Sequence, residues 1–184
     1  MTTPLVVDQG VVFGNYARTV VAVDHDGALR WTLGLGADVD GSAAVGLDGT
    51  IYIGSDDGSL HAISSDGVEL WEVPVGREVR AAPVVATDGT IVFGAYDGGL
   101  RAVGPDGVMR WTLPTGGAIH AAATIDPAGR IFVGSRDERL YALDLDGHVY
   151  WNLELPGQID SGVAISPAGT LVVGCDDGQL RGLR

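Results

Sequence analysis

Apolar residues in this chain fall in short runs, and Asp-Gly or Pro-Ala-Gly corners separate them. Residues 78–116 run through the pattern once. Val79–Ala86 is apolar, Asp88-Gly89 makes a corner, and Thr90–Ala95 is a second, β-rich run. A turn at Tyr96–Gly99 leads into Leu100–Val103; Pro105-Asp106-Gly107 turns again, and Val108–Leu113 is the fourth run. Glycine reaches positive φ without strain, so Asp-Gly between two apolar runs predicts a tight hairpin. Four short strands joined in this way, named a to d, predict an antiparallel meander. The b runs are apolar at consecutive positions, as in Ile51-Tyr52-Ile53 and Ile131-Phe132-Val133. A sheet with one wet face would alternate, so a continuous run predicts cover on both faces.

The meander recurs every 40 residues. The stretch Ala22–Trp31 (AVDHDGALRW) returns as Ala62–Trp71, Ala102–Trp111 and Ala142–Trp151, and these contain all four tryptophans. A glycine keeps the same step at Gly14, Gly54, Gly94, Gly134 and Gly174. A fixed period of this size marks a repeat architecture. Sheets stacked face to face around an axis give the two-sided burial, so the predicted fold is all-β, a β-propeller with one four-stranded antiparallel blade per repeat. A β-solenoid repeats over fewer residues with parallel strands, and the hairpin corners argue against it. The density of glycine and Asp-Gly corners excludes a helical repeat.

Five units are expected within one domain over 1–184: blades 1–36, 37–76, 77–116, 117–156 and 157–184. The last lacks its outer strand and a fifth tryptophan. Five blades are expected to close, or nearly close, into a ring. The alternative is an arc of a larger propeller, whose uncovered faces would favour self-association.

Glycine, at 29 of 184 residues, sits at turn positions rather than in a linker. The formal net charge of −13 repels phosphate backbones, argues against nucleic acid and would favour a basic partner. Many of the acids are also turn formers, as in the Asp-Gly corners. Cys175 is the single cysteine, so no disulfide within the chain is expected. No basic segment followed by an apolar run opens the chain. No signal peptide and no membrane span are expected, which leaves the cytoplasm as the default compartment.

The recurrent A-x-D-x-D-G-x-x-x-W resembles the tryptophan-docking motif of the pyrroloquinoline-quinone-like (PQQ-like, BamB-type) propeller repeat family. The flanks DGTIYIGSDDGSLHAI (48–63) and VRAAPVVATDGTIVFG (79–94) resemble its blades as well. Ser64 and Gly104 replace the first Asp of the motif in two copies, and the c/d corner is one residue shorter than the commonest form. The resemblance covers the whole chain. It implies a fold shared by quinone-dependent dehydrogenases, non-catalytic scaffolds and sensor modules, whose members are often periplasmic, and fold alone does not choose among them. The dehydrogenases typically carry a vicinal cysteine pair, a calcium site and a catalytic Asp. With Cys175 alone, no catalytic residue, no cofactor site and no enzyme activity are expected.

Trp31, Trp71, Trp111 and Trp151 are read as structural wedges between blades, each N–H seeking a carbonyl of the adjacent blade. Candidate recognition residues are those that break the repeat in the d-to-a loops: Asp40, Arg80, His120 and Asp160, with Asp38 and Glu78 two residues before the first two. The residues between stay apolar (Val39, Val79, Ile119, Ile159). This alternation predicts the first residues of strand a, with the polar set facing a central funnel where a ligand could bind. The alternative is solvated channel lining held by mutual ion pairs. The D-x-D-G corners at Asp24/Asp26 and Asp144/Asp146 lack the distal acids of a calcium loop. His25, His61, His120 and His148 fall at unrelated points of the repeat, so no metal site is expected. Ser42 and Ser161 have no neighbouring base. The expected function is a non-catalytic scaffold for a protein or peptide, docked on the d/a-loop face or by strand addition at an exposed edge. The alternatives are a small-ligand (quinone-like or anion) sensor in the funnel and a piece of a longer propeller without a separate function.

Overall fold

The computed structural model describes residues 3–184, and every regular element in it is a β-strand. Sheet 1 is β1–β4 (Leu5–Val7, Gly10–Gly14, Thr19–Val23, Leu29–Gly34) and sheet 2 is β5–β8 (Ala44–Val45, Ile51–Gly54, Ser59–Ile63, Glu69–Pro74). Sheet 3 is β9–β12 (Val84–Val85, Ile91–Gly94, Gly99–Val103, Met109–Pro114) and sheet 4 is β13–β16 (Thr124–Ile125, Ile131–Gly134, Arg139–Leu143, Val149–Glu154). Sheet 5 has three strands, β17–β19 (Ala164–Ile165, Leu171–Gly174, Leu180–Leu183). Each sheet is an antiparallel meander in chain order, so the fold is a β-propeller built from four-stranded blades with a three-stranded last one.

The a strands are much shorter than the apolar run Val79–Ala86 predicts, two residues in sheets 2 to 5. Residues 38–40 and their repeats therefore lie upstream of strand a, in an irregular segment. That segment is clipped alternately to the blades on either side. Val39, Val79, Ile119 and Ile159 donate their N–H groups to the carbonyls of Asn15, Ser55, Ala95 and Ser135 in the preceding sheet. The carbonyls of Asp38, Glu78, Ala118 and Gln158 accept from Asp56, Tyr96, Arg136 and Asp176 in the following one. Backbone groups too buried for water are thus satisfied without a ladder.

This belt explains the glycine that ends the b strand in sheets 1 to 4. A Cβ on Gly94 would lie 2.6 Å from the Cβ of Ile119 and closer still to its Cγ2; one on Gly54 would lie 2.8 Å from the Cβ of Val79. The belt side chain, fully buried in every copy, occupies the space a side chain would need.

A register shift sits between Ala22/Val23, Ala62/Ile63, Ala102/Val103 and Ala142/Leu143, opposite the tryptophan of each d strand. Such a bulge adds twist and re-aims the side chain beside it. Trp31 donates to the Ser65 carbonyl at 2.9 Å, Trp71 to Pro105 at 2.9 Å and Trp111 to Leu145 at 2.7 Å, each in the c/d corner of the next sheet. The indoles lie over Gly67, Gly107 and Gly147 of those corners, and a Cβ on Gly107 would stand 2.8 Å from the Trp71 ring.

The core consists of four apolar clusters, between sheets 1 and 2, 2 and 3, 3 and 4, and 4 and 5. Among the described residues no such cluster joins sheet 5 to sheet 1. The b strands of sheets 2, 3 and 4 are buried at every position, whereas β2 and β18 alternate. The expected closed or nearly closed ring is therefore corrected to an open arc. The end sheets have a neighbour on one side only, so one face of each is uncovered.

Candidate functional site

The irregular segments before each a strand and the turns between strands b and c share one face of the arc. The second residue of the b/c turn is Tyr16, Asp56, Tyr96 and Arg136 in sheets 1 to 4. Each meets the repeat-breaking residue 24 positions later. The Tyr16 hydroxyl donates to Asp40 Oδ1 at 3.0 Å. Arg80 grips Asp56 through two bonds, Nε to Oδ1 at 2.7 Å and Nη2 to Oδ2 at 2.6 Å. Tyr96 stacks on His120 with ring centroids 4.1 Å apart, and its hydroxyl lies 3.3 Å from Nδ1. Arg136 holds Asp160, Nε to Oδ1 at 2.9 Å and Nη2 to Oδ2 at 2.8 Å.

The pairs are also coupled to one another. The Arg80 guanidinium lies 5.3 Å from the centre of the Tyr96 ring, where its charge meets the negative face of the aromatic ring. Burial, aided by the positive Arg136 and Arg80 and opposed by Asp160, pushes the His120 imidazole below its ordinary pKa. Its Nε2 is buried with no hydrogen-bond partner among the described residues. The Arg136 bond holds the Asp160 carboxyl below the usual carboxylate range, and the bond to Asp40 raises the Tyr16 phenol.

Of the six candidate recognition residues, Asp40, Arg80, His120 and Asp160 thus form one continuous polar ladder with the b/c-turn residues. Asp38 and Glu78 differ. Their carbonyls hold the belt, and their carboxylates face Arg18 at 4.0 Å and Arg77 at 3.2 Å. Both ladder arginines are committed bidentately to carboxylates, so neither presents a spare fork to an anion.

The sequence reading missed Tyr16, Asp56, Tyr96 and Arg136. The signal lay in register: these positions vary from copy to copy with chemistry complementary to the residue 24 positions on. It also missed a grouping around His61. Cross-strand pairing sets His61 opposite Glu72 and puts Glu69 beside it. Ligand atoms of His61, Glu69 and Glu72 lie within 4.8 Å of one another. Both ring nitrogens are engaged, Nδ1 to Glu69 at 2.6 Å and Nε2 to Asp57 at 3.2 Å. Asp144, Asp146 and His148 also cluster, but there Asp144 Oδ1 accepts from the backbone N–H groups of 146 and 148, as a hairpin corner requires.

Two grooves lie away from the ladder. One of about 410 Å³ runs between sheets 1 and 2, lined by Val6–Gln9, Arg30 and Val45–Gly49. The other, of about 440 Å³, lies between sheets 4 and 5. No helix is long and apolar enough to cross a membrane among the described residues.

The family model described as outer membrane protein assembly factor BamB matches residues 17–126 and 97–184. Among solved structures, BamB from Moraxella catarrhalis superposes with a TM-score of 0.86 at 20% identity, covering 99% of this chain and 57% of that one. The WD40 β-propeller domain of Doa1 gives 0.78 at 21% identity, covering 96% and 60%. The computationally designed Ika8 protein gives 0.84 at 19% identity, covering 97% and 56%. The chain thus spans less than two thirds of the length of each. No curated protein sequence matches it.

Proposed function

This chain belongs to the PQQ-like, BamB-type propeller repeat family, and from that premise we propose that it is a non-catalytic scaffold that binds a protein or peptide on its ladder face. One observation carries the reading. Four equivalent d-to-a segments, each held by the same two belt hydrogen bonds, display four different side-chain pairs: Tyr·Asp, Asp·Arg, Tyr·His and Arg·Asp. Packing alone needs the same kind of residue in every copy, as the apolar Val/Ile belt and the tryptophans have. Variation at matched positions on an accessible loop face is what recognition uses. The net charge of −13 favours a partner with a basic surface and a salt-dependent association rate.

The small-anion reading is weaker, because Arg80 and Arg136 already satisfy Asp56 and Asp160. The test is cross-linking of the immobilised chain to proteins of the organism that encodes it, followed by affinity measurement with Arg80→Ala and Asp160→Ala. The scaffold reading expects cross-links at the ladder loops and weaker binding in both variants. Cross-links confined to the outer d strands, with both variants binding as wild type, would remove the ladder from the function.

A further inference from the structure

Strands c and d of sheet 2, β7 and β8, hold a set of charges that the other sheets do not repeat. In sheets 3 and 5 the Asp of the b/c turn pairs with an Arg four residues on, Asp97 with Arg101 and Asp177 with Arg181. In sheet 4 the Tyr141 hydroxyl donates to Asp137 at 2.6 Å. Sheet 2 has Asp57 and His61 at these positions, and its d strand adds Glu69 and Glu72 where sheet 3 has Met109 and Thr112. Among the described residues no arginine pairs with Asp57, Glu69 or Glu72, and the chain contains no lysine.

Glu69 and Glu72 are three residues apart, so in a regular strand they would face opposite ways. The register shift between Ala62 and Ile63 removes that conflict. Ile63 pairs with Glu69 and His61 with Glu72, which sets both glutamates on the face of His61. The imidazole is 2% exposed and the two glutamates are exposed, so the group opens to solvent on one side. Asp57 approaches Nε2 with both oxygens, at 3.2 and 3.3 Å, and Glu69 Oε1 lies 2.6 Å from Nδ1. A neutral imidazole has one N–H to give, and ionised carboxylates only accept. One of the two contacts therefore calls for a further cation.

We propose that His61 Nδ1, Glu69 and Glu72 bind a divalent transition-metal ion of the zinc class. One imidazole with two carboxylates is a donor set such an ion takes. A carboxylate on the other ring nitrogen, here Asp57, is what fixes the orientation of a metal-bound histidine. Bonds of about 2.0–2.2 Å in a tetrahedral site set ligand atoms about 3.3 Å apart, so Glu69 swings outward by under 1 Å, as its exposed position allows. The ion would tie β7 to β8, with water in its fourth position on the open side. None of its ligands belongs to the ladder, so this site stands or falls independently of the proposed scaffold function.

The experiment adds zinc ion alone to the intact protein, freed of metal with a chelator that is then removed. Calorimetry reads affinity and stoichiometry, and the histidine ring resonances show which imidazole responds. The expected result is one ion per chain with Kd below about 10 µM and a shifted His61 signal. Glu69→Gln and Glu72→Gln each weaken binding by at least about tenfold; both positions are exposed, so the fold survives these changes. His61→Arg, which copies the Asp97·Arg101 pair of sheet 3, abolishes it. His148→Ala, which dismantles the Asp144, Asp146 and His148 group, leaves it at full strength. No binding up to about 1 mM zinc, an unmoved His61 signal, wild-type affinity in both Gln variants, or loss of binding in His148→Ala overturns the proposal.

Discussion

Replacing Gly94 by Ala isolates the contact on which the stacking of blades depends. Gly94 ends β10, and its φ lies outside the left-handed region, so no backbone strain enters. The added methyl would stand 2.6 Å from Ile119 Cβ, about 1 Å inside the 3.5–4.0 Å optimum for carbon pairs. Ile119 cannot retreat cheaply. It is fully buried, and its N–H is bound to the Ala95 carbonyl at 3.1 Å. Overpacking of this kind costs about 1–3 kcal/mol, and a pinned neighbour sets the expectation near 3 kcal/mol. At this chain length that lowers Tm by about 6–12 °C. Gly174→Ala is the control. The repeat places it identically, but its nearest neighbour is Ser161 Oγ at 3.3 Å, and removing a strand glycine gains about 0.5–1 kcal/mol. Urea melts followed by tryptophan fluorescence measure both. Equal destabilisation by the two changes would refute the belt as the reason for the repeated glycine.

Three further outcomes follow from the same geometry. Trp111→Ala, which loses a capped indole, should cost about 3–5 kcal/mol, and Trp151→Ala about 1 kcal/mol; urea melts of the two separate an inter-blade wedge from a bare ring. Gly107→Ala should destabilise more than Gly27→Ala. Both have positive φ (78° and 85°), but only Gly107 lies under an indole, while Gly27 has nothing within 4 Å; thermal melts read the difference. Acid should unfold the chain through its corners. The Thr50 N–H holds Asp48, and the Thr90 hydroxyl holds Asp88, below the usual carboxylate range. Depressed folded pKa values contribute stability above the unfolded pKa that is lost as pH falls through the folded one. The urea midpoint should hold from pH 7 to about 5 and drop below about 4, with a shallower drop in the Asp48→Asn/Asp88→Asn variant.

The blades were legible because the period is fixed and its corners are chemically explicit: Asp-Gly at each c/d hairpin, and continuous apolar b strands where both faces are covered. Ring closure was not. Val11, Phe13, Val21 and Val23 would read the same whether another blade covers them or water does, since the repeat writes the same apolar face into every copy. Only the alternating burial of β2 and β18 distinguishes the cases. Half of the ladder was legible for a related reason. Asp40, Arg80, His120 and Asp160 stand out against constant neighbours, while Tyr16, Asp56, Tyr96 and Arg136 hide in turns whose composition varies anyway. Their complementarity appears only once the belt brings positions 24 apart into contact. The His61 cluster is a product of strand register, which spacing along the chain does not express.

The paired construction bears on how such a face could acquire specificity. Arg80 and the part-buried Asp56 satisfy one another, so changing one member alone leaves the other without its partner. Changing both leaves the belt untouched, because its hydrogen bonds are all backbone and are the same beside every pair. The scaffold therefore tolerates Tyr·Asp, Asp·Arg, Tyr·His and Arg·Asp at one geometry, and coupling through Arg80 and Tyr96 joins neighbouring pairs into a continuous surface. A partner docking there would read the order of pairs along the arc rather than any single residue. That is a task for an extended protein surface or peptide, and it explains why the residues that vary are the ones held most carefully in place.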